Sequence, residues 1–387
     1  MQQLKRYGLA AGLATLLAWS LAGCGGNDSL PAKASISKVY VMGDSLADAG
    51  TFGIKFTVQD ASNPKGFPIW PQIVAGNFGL DALAQCNFFS LGFDGSVRAA
   101  PNPACTNFAI GGGRVYAKAS DGGPSSPLNV GVQMATKASL GAYTANDLVL
   151  IDGGGNDAAD LVGAYLGASS GAAGVAAYQT FLLQQLDATT VGTLLSVPNT
   201  GPAQAAGAYM QKLADTFYGQ IKTQVLDKGA THVAVLNMPD ITLTPRFRMV
   251  LAGVTQQAGA ATAQALQGAI RQWIGAFNAK LQANIGTDSR VALVDFYADF
   301  TDEINNPANY ALSNATDASC PVTGVGSDGL PSYTFPTCTS AALDALPGKT
   351  AGWWKSYAFS DGFHPTPLGH GLLAASVSRA LARAGWL

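Results

Sequence analysis

From Lys38 onward, short apolar runs rich in β-branched residues alternate with stretches in which apolar side chains recur every three or four positions. That is the pattern of strands and amphipathic helices in a mainly parallel α/β sheet. The runs predict strands over Lys38 to Met42, Asn107 to Ile110, Asp147 to Ile151, Thr231 to Met238 and Val291 to Phe296. Met210, Leu213, Phe217 and Ile221 fall on one helical stripe, and Gly229 beyond it reads as a C-cap that hands over to the next strand. Leu266, Ile270, Trp273, Phe277 and Leu281 make a second stripe ending near Gly286. A last stripe of Leu373, Val377, Ala380, Leu381 and Ala384 follows Thr366 and Pro367, which read as N-cap and first helical residue.

Residues 53 to 106 and 298 to 358 break this rhythm with Pro, Gly, Asn and Ser, and read as long loops. In an open α/β sheet the ligand site lies outside the carboxyl ends of the strands, where such insertions would shape it. Residues 158 to 208, rich in Ala and Gly, fit either a mobile helical cap or a surface connection. No repeat of fixed period is present.

Composition narrows the class. The chain has 387 residues, 48% hydrophobic and 12% charged, with a net charge of -2, so it has ample material for a core and no basic surplus for nucleic acid. Forty-six glycines beside so few charges suit a secreted protein with long surface loops. At the N-terminus, Lys5 and Arg6 precede an apolar run from Gly8 to Leu21, which is a signal peptide and too short to span a membrane.

The run ends in Leu21-Ala22-Gly23-Cys24, which resembles a bacterial lipobox and implies lipidation of Cys24. A plain secretory signal with a chance cysteine is the alternative. The expected organisation is a signal peptide at 1 to 23, a flexible tether at 24 to 37 and one domain over 38 to 387. Glycine after Cys24 resembles the outer-membrane sorting pattern, so the expected location is the outer membrane of a Gram-negative bacterium, reached through a lipid anchor, or the medium. Four cysteines remain, and pairing Cys86 with Cys105 and Cys320 with Cys338 is favoured because each pair closes a loop of about 20 residues. No Cys-x-x-Cys spacing argues for metal, and neither a metal nor a cofactor is expected.

The chemistry gathers at strand ends. Gly43-Asp44-Ser45-Leu46 follows the first strand, and over 300 residues later Asp361-Gly362-Phe363-His364-Pro365 offers a base and a carboxylate on one turn. A seryl hydroxyl needs both to act as a nucleophile at neutral pH. Asn107 to Arg114 runs into three glycines at Gly111 to Gly113, and Leu148 to Asp157 ends in Gly153 to Gly155 and Asn156. A hydroxyl-bearing turn, backbone N–H groups freed by glycine and a carboxamide together are what an oxyanion hole requires. Taken singly, Gly-Asp-Ser reads as a capped turn and His364 as a core histidine; His232 and His370 read as structural. Gly167-Ala168-Ser169-Ser170-Gly171 formally matches a nucleophile elbow, but it lies in an Ala/Gly/Ser-rich stretch with no clear strand before it.

Taken together, the four blocks resemble the GDSL, or SGNH, hydrolase superfamily, in order and over nearly the whole chain after the signal. Val294-Asp295-Phe296 and Asn306-Pro307 resemble its longer lipases and esterases. The resemblance implies a flavodoxin-like α/β/α sandwich on a mainly parallel five-stranded sheet, and cofactor-free ester hydrolysis. It implies Ser45 as nucleophile and first oxyanion donor, Gly112 and Asn156 as the other donors, His364 as base and Asp361 as its orienting acid. The expected substrate is a short or medium acyl, aryl or lipid ester. Polysaccharide O-deacetylation and acyl transfer are alternatives within the family, and a non-catalytic binding lipoprotein is one outside it. Met42, Gly113 and Asp152 depart from the family pattern, and the aromatics Phe67, Trp70, Trp353, Trp354 and Tyr357 read as packing under loops or as a groove wall.

Overall fold

A computed structural model describes residues 34–81, 85–99, 102 and 104–387. The expected signal peptide, Cys24 and most of the expected tether lie outside them. Ala34–Leu387 forms one compact unit. Its strands are β1 (Lys38–Met42), β2 (Phe89–Leu91), β3 (Val97–Ala99), β4 (Asp147–Ile151), β5 (His232–Leu236), β6 (Val291–Val294), β7 (Asn314–Ala318), β8 (Gly324–Val325), β9 (Pro331–Ser332) and β10 (Tyr357–Phe359). Its helices are α1 (Trp70–Asn77), α2 (Val130–Ser139), α3 (Gly155–Gly167), α4 (Ala172–Leu182), α5 (Ala188–Leu195), α6 (Gly201–Gln224), α7 (Pro245–Ala258), α8 (Ala260–Ile285), α9 (Phe296–Asn305), α10 (Ser340–Asp344) and α11 (Pro367–Arg383).

The central sheet is parallel, in the order β1-β4-β5-β6, with Val39 beside Leu148, Leu148 beside His232 and Val233 beside Val291. Every residue of β4 is buried, as expected where helices cover both faces. Alternation divides its side chains: Val149 and Ile151 pack under α2, α3, α6 and α8, whereas Leu148 and Leu150 pack under α1 and α11. This is a three-layer sandwich built on the mainly parallel sheet that the hydrophobic pattern implies.

The predicted strand at Asn107 to Ile110 is not a regular strand. Its backbone still runs beside β1, with Val41 N donating to Thr106 O at 3.0 Å and Phe108 N to Val41 O at 2.7 Å. The regular ladder therefore has four strands, and this fifth segment is bridged to their edge at Val41. The ladder is interrupted after Phe108 because Gly43 N donates to Gln133 Oε1 instead, although Ile110 N still reaches Gly43 O at 3.2 Å; on its other side Asn107 bonds Ala47 O through its side chain and Phe88 N through its carbonyl.

Gly286 closes α8 at a positive φ, as its position implies, but Gly229, in the left-handed conformation, closes a short 3-10 turn at Leu226–Lys228 rather than α6 itself. Ala384 is exposed beyond the end of α11. The two segments read as loops hold more structure than their composition suggests: α1 and the β2-β3 hairpin in the first, and most of α9, β7, the β8-β9 hairpin and α10 in the second. Residues 158–208 are largely helical, forming most of α3, then α4, α5 and the start of α6. Cys86 is bonded to Cys105 and Cys320 to Cys338.

Candidate active site

The carboxyl ends of β1 and β4 and the Gly111–Gly113 turn converge on one point, and each is clamped by a buried polar side chain. Gln133 on α2 grips the Gly43 peptide from both sides, accepting from Gly43 N at 2.8 Å and donating to Gly43 O at 3.0 Å. Asp48 accepts from Gly50 N, Thr51 N and Gly111 N at 2.7 to 2.8 Å, which joins the Ser45 turn to the glycine turn. Asp157, directly after Asn156, accepts from Val115 N and Tyr116 N, and burial pushes its carboxyl up to about 7. These three side chains and Arg114 were not singled out from the sequence. Their signal was the unusual density of polar residues around glycine turns, since backbone N–H groups buried in a turn must find acceptors.

Two glycines are dictated by close approach. A Cβ on Gly43 would lie 1.4 Å from Asp152 Oδ1, and one on Gly113 would lie 2.6 Å from Gly43 O. Asp152 thus occupies the space that a side chain at position 43 would need, and it also accepts from Asp44 N at 3.3 Å. Burial, reinforced by the Asp44 charge, raises the Asp152 carboxyl well above its ordinary range. Gly113 likewise has no room for a methyl group.

On the opposite side, the turn after β10 is held by its own carboxylate. Asp361 Oδ1 accepts from the N–H groups of Phe363 and His364 at 2.7 and 2.6 Å, and Asp361 Oδ2 lies 2.9 Å from His364 Nδ1. Thr366 caps α11 by accepting from Gly369 N, and its hydroxyl donates to Tyr357 O. Phe56 and Phe335, one from each inserted segment, wall the imidazole at ring-centre distances of 5.1 and 5.6 Å. The Cys320–Cys338 pair packs in the same small cluster as Phe335, and Cys320 N donates to Ser360 O at 2.7 Å.

These two sides meet at Ser45 and His364. His364 Nε2 lies 2.7 Å from Ser45 Oγ. With Nδ1–H directed at Asp361, Nε2 is left to accept the seryl proton. Burial lowers the affinity of His364 for a proton, but the charge and hydrogen bond of Asp361, helped by Asp44, outweigh it, so the imidazole pKa is raised. Asp361 is lowered by the same pairing against a large burial penalty.

Gly112, at φ +79°, and Asn156 line the same cleft of about 330 Å³ as Ser45 and His364. Among the described residues, no acceptor takes the N–H of Ser45 or of Gly112. Asn156 Nδ2 donates one proton to Gly113 O at 2.9 Å, and its second remains. Arg114 bonds Gly112 O and reaches Asp160, steadying the peptide whose neighbour is Gly112 N–H.

A family profile for the GDSL-like lipase/acylhydrolase matches residues 39–377, a span holding all five of these residues. The chain belongs to that family. Membership supports a hydrolase acting on esters. The structure of phospholipase A1 from Streptomyces albidoflavus NA297 is similar over 90% of this chain and 97% of that one, at 17% identity and a TM-score of 0.37. No curated protein matches the chain.

Other candidates fall away from this point. Ser169 lies in an exposed 3-10 turn, with its hydroxyl donating to Leu166 O. His370 is fully buried inside α11 and pushed down to about 3 by burial, and His232 packs edge-on against Trp386. Trp70 and Trp354 are core residues; Phe56, Tyr333 and Phe363 line the cleft instead. No cluster of three or more His, Cys, Asp or Glu side chains able to hold a metal occurs among the described residues.

Proposed function

We propose that the chain is a serine hydrolase of carboxylic esters, with Ser45 as nucleophile, His364 as general base and Asp361 as the group that orients it. The observation that carries this reading is the 2.7 Å contact between Ser45 Oγ and His364 Nε2 on a histidine whose other nitrogen is held by Asp361. In acylation, Oγ attacks the ester carbonyl while its proton passes to Nε2. The oxyanion accepts from Ser45 N–H, Gly112 N–H and Asn156 Nδ2–H, the proton moves to the departing alkoxide, and an acyl-serine forms. Water entering the cleft then gives its proton to His364, attacks the acyl carbon and releases the acid and free Ser45.

The two disulfides fit an oxidising compartment, and among the described residues no helix is long and apolar enough to cross a membrane. We propose export through the signal peptide and anchoring through acyl groups on Cys24, with residues 38–387 as a single hydrolase domain. The test is hydrolysis of nitrophenyl esters by the mature chain with Ser45→Ala as control. Turnover that vanishes in the variant supports the reading; equal turnover in both proteins refutes it.

A further inference from the structure

A second cavity also meets Ser45. It is more enclosed than the open cleft, with a volume of about 70 Å³. Its walls are mostly apolar, with Leu236 from the end of β5, Phe300 and Ile304 from α9, Leu312, and Leu372 from α11. Ser45 and Phe363 line both spaces, so the candidate nucleophile borders an open polar cleft on one side and an enclosed apolar cavity on the other. An ester carbonyl held at Ser45 carries one substituent on its acyl carbon and another on its alkoxy oxygen, and the two spaces differ in the kind of group they favour.

The apolar walls favour a hydrocarbon. Since one water needs about 10–15 Å³ of this kind of space, the cavity has room for about five water-sized groups. Carboxyl groups in the wall do not spoil it: burial raises Asp44 and Asp152, and burial with the nearby Asp299 charge pushes Glu303 up to about 8 against the pull of Arg379. Burial thus shifts each of these carboxyls toward its uncharged form.

We infer that this cavity holds the acyl chain of the ester, leaving the alcohol portion in the open cleft, and thereby limits the protein to short and medium linear acyl groups. The inference rests on the serine-esterase reading given above.

The test is kcat/KM for nitrophenyl esters from acetate to palmitate in the wild type, Ile304→Trp and Leu372→Ala. Tryptophan fills the cavity and should lower the hexanoate-to-acetate ratio at least about tenfold, the scale at which apolar pockets sense added methylenes. Alanine lengthens it and should raise the octanoate-to-hexanoate ratio. Leu372→Ala stands alone as the test where circular dichroism finds Ile304→Trp unfolded. Ratios within about twofold of wild type in the folded variants overturn the inference, even when acetate turns over and Ser45→Ala abolishes that turnover. A wild type that hydrolyses no ester at any chain length refutes the esterase reading, and the acyl-chain inference falls with it.

Discussion

The two halves of the candidate triad are held by different physics. Around Ser45, buried polar side chains take hold of backbone: Gln133 grips Gly43, Asp48 ties three N–H groups, and Asp157 ties two more. Around His364 the local carboxylate sets the turn, but the walls are Phe56 and Phe335, braced by a disulfide cluster from an inserted segment. The first side is built by short-range motifs at strand ends, where a few hydrogen bonds fix a position to within tenths of an ångström. The second depends on packing contributed by distant chain. Ser45, Gly112 and Asn156 therefore sit on one polar unit, and His364 is carried on an apolar one.

The largest effect should come from removing the group through which the two sides meet at Ser45. His364→Ala is expected to lower kcat by about 10⁶, measured with a saturating nitrophenyl ester. Asp361→Asn should lower it by about 10⁴, since the imidazole loses its tautomer and its partner charge. A second readout is pH: activity requires neutral His364, whose pKa stands above the ordinary 6.5, so kcat/KM should fall as pH drops through that raised value. In Asp361→Asn the falling limb should move to lower pH. A limb that stays in place would assign the titration to another group.

Asn156→Ala probes the polar unit alone and should cost about 10²–10³ in kcat with little change in KM. Two stability measurements then set the sides against each other. Asp48→Ala leaves three turn N–H groups without their acceptor and should cost on the order of 3–5 kcal/mol in urea unfolding. Cys320→Ser with Cys338→Ser should cost about 3 kcal/mol, and its loss of activity on warming should precede global unfolding because Phe335 and the His364 turn loosen first. If Asp48→Ala proves harmless while the cysteine change alone abolishes folding, the contrast between a polar and an apolar side is wrong.

The blocks that carry the candidate site, though not the side chains that clamp them, were legible at the level of motifs. The strand-end blocks carrying Ser45, Gly112 and Asn156 are short, glycine-bearing and close to their strands, so local chemistry announces them. The wall of the base was not. Phe56 and Phe335 sit in segments whose composition reads as loop, and nothing local says that either reaches His364. The helices α1, α7 and α9 were likewise hidden, because their apolar positions are chosen by the clusters they cover rather than by a clean period. Asp152 illustrates the same limit: its effect on Gly43 is a contact across 109 residues, visible only once β1 and β4 lie side by side. The Asn107 segment went the other way, with strand-like residues whose ladder is interrupted where Gly43 N donates to Gln133.

The central claim is that Ser45 is made nucleophilic by the histidine beside it. Intact wild-type protein and His364→Ala should be treated with a fluorophosphonate and the modified residue located by peptide mass spectrometry. The account predicts a single adduct on Ser45 in the wild type and a large loss of labelling rate in the variant. An adduct on Ser169, or labelling of Ser45 at the same rate without His364, would contradict it.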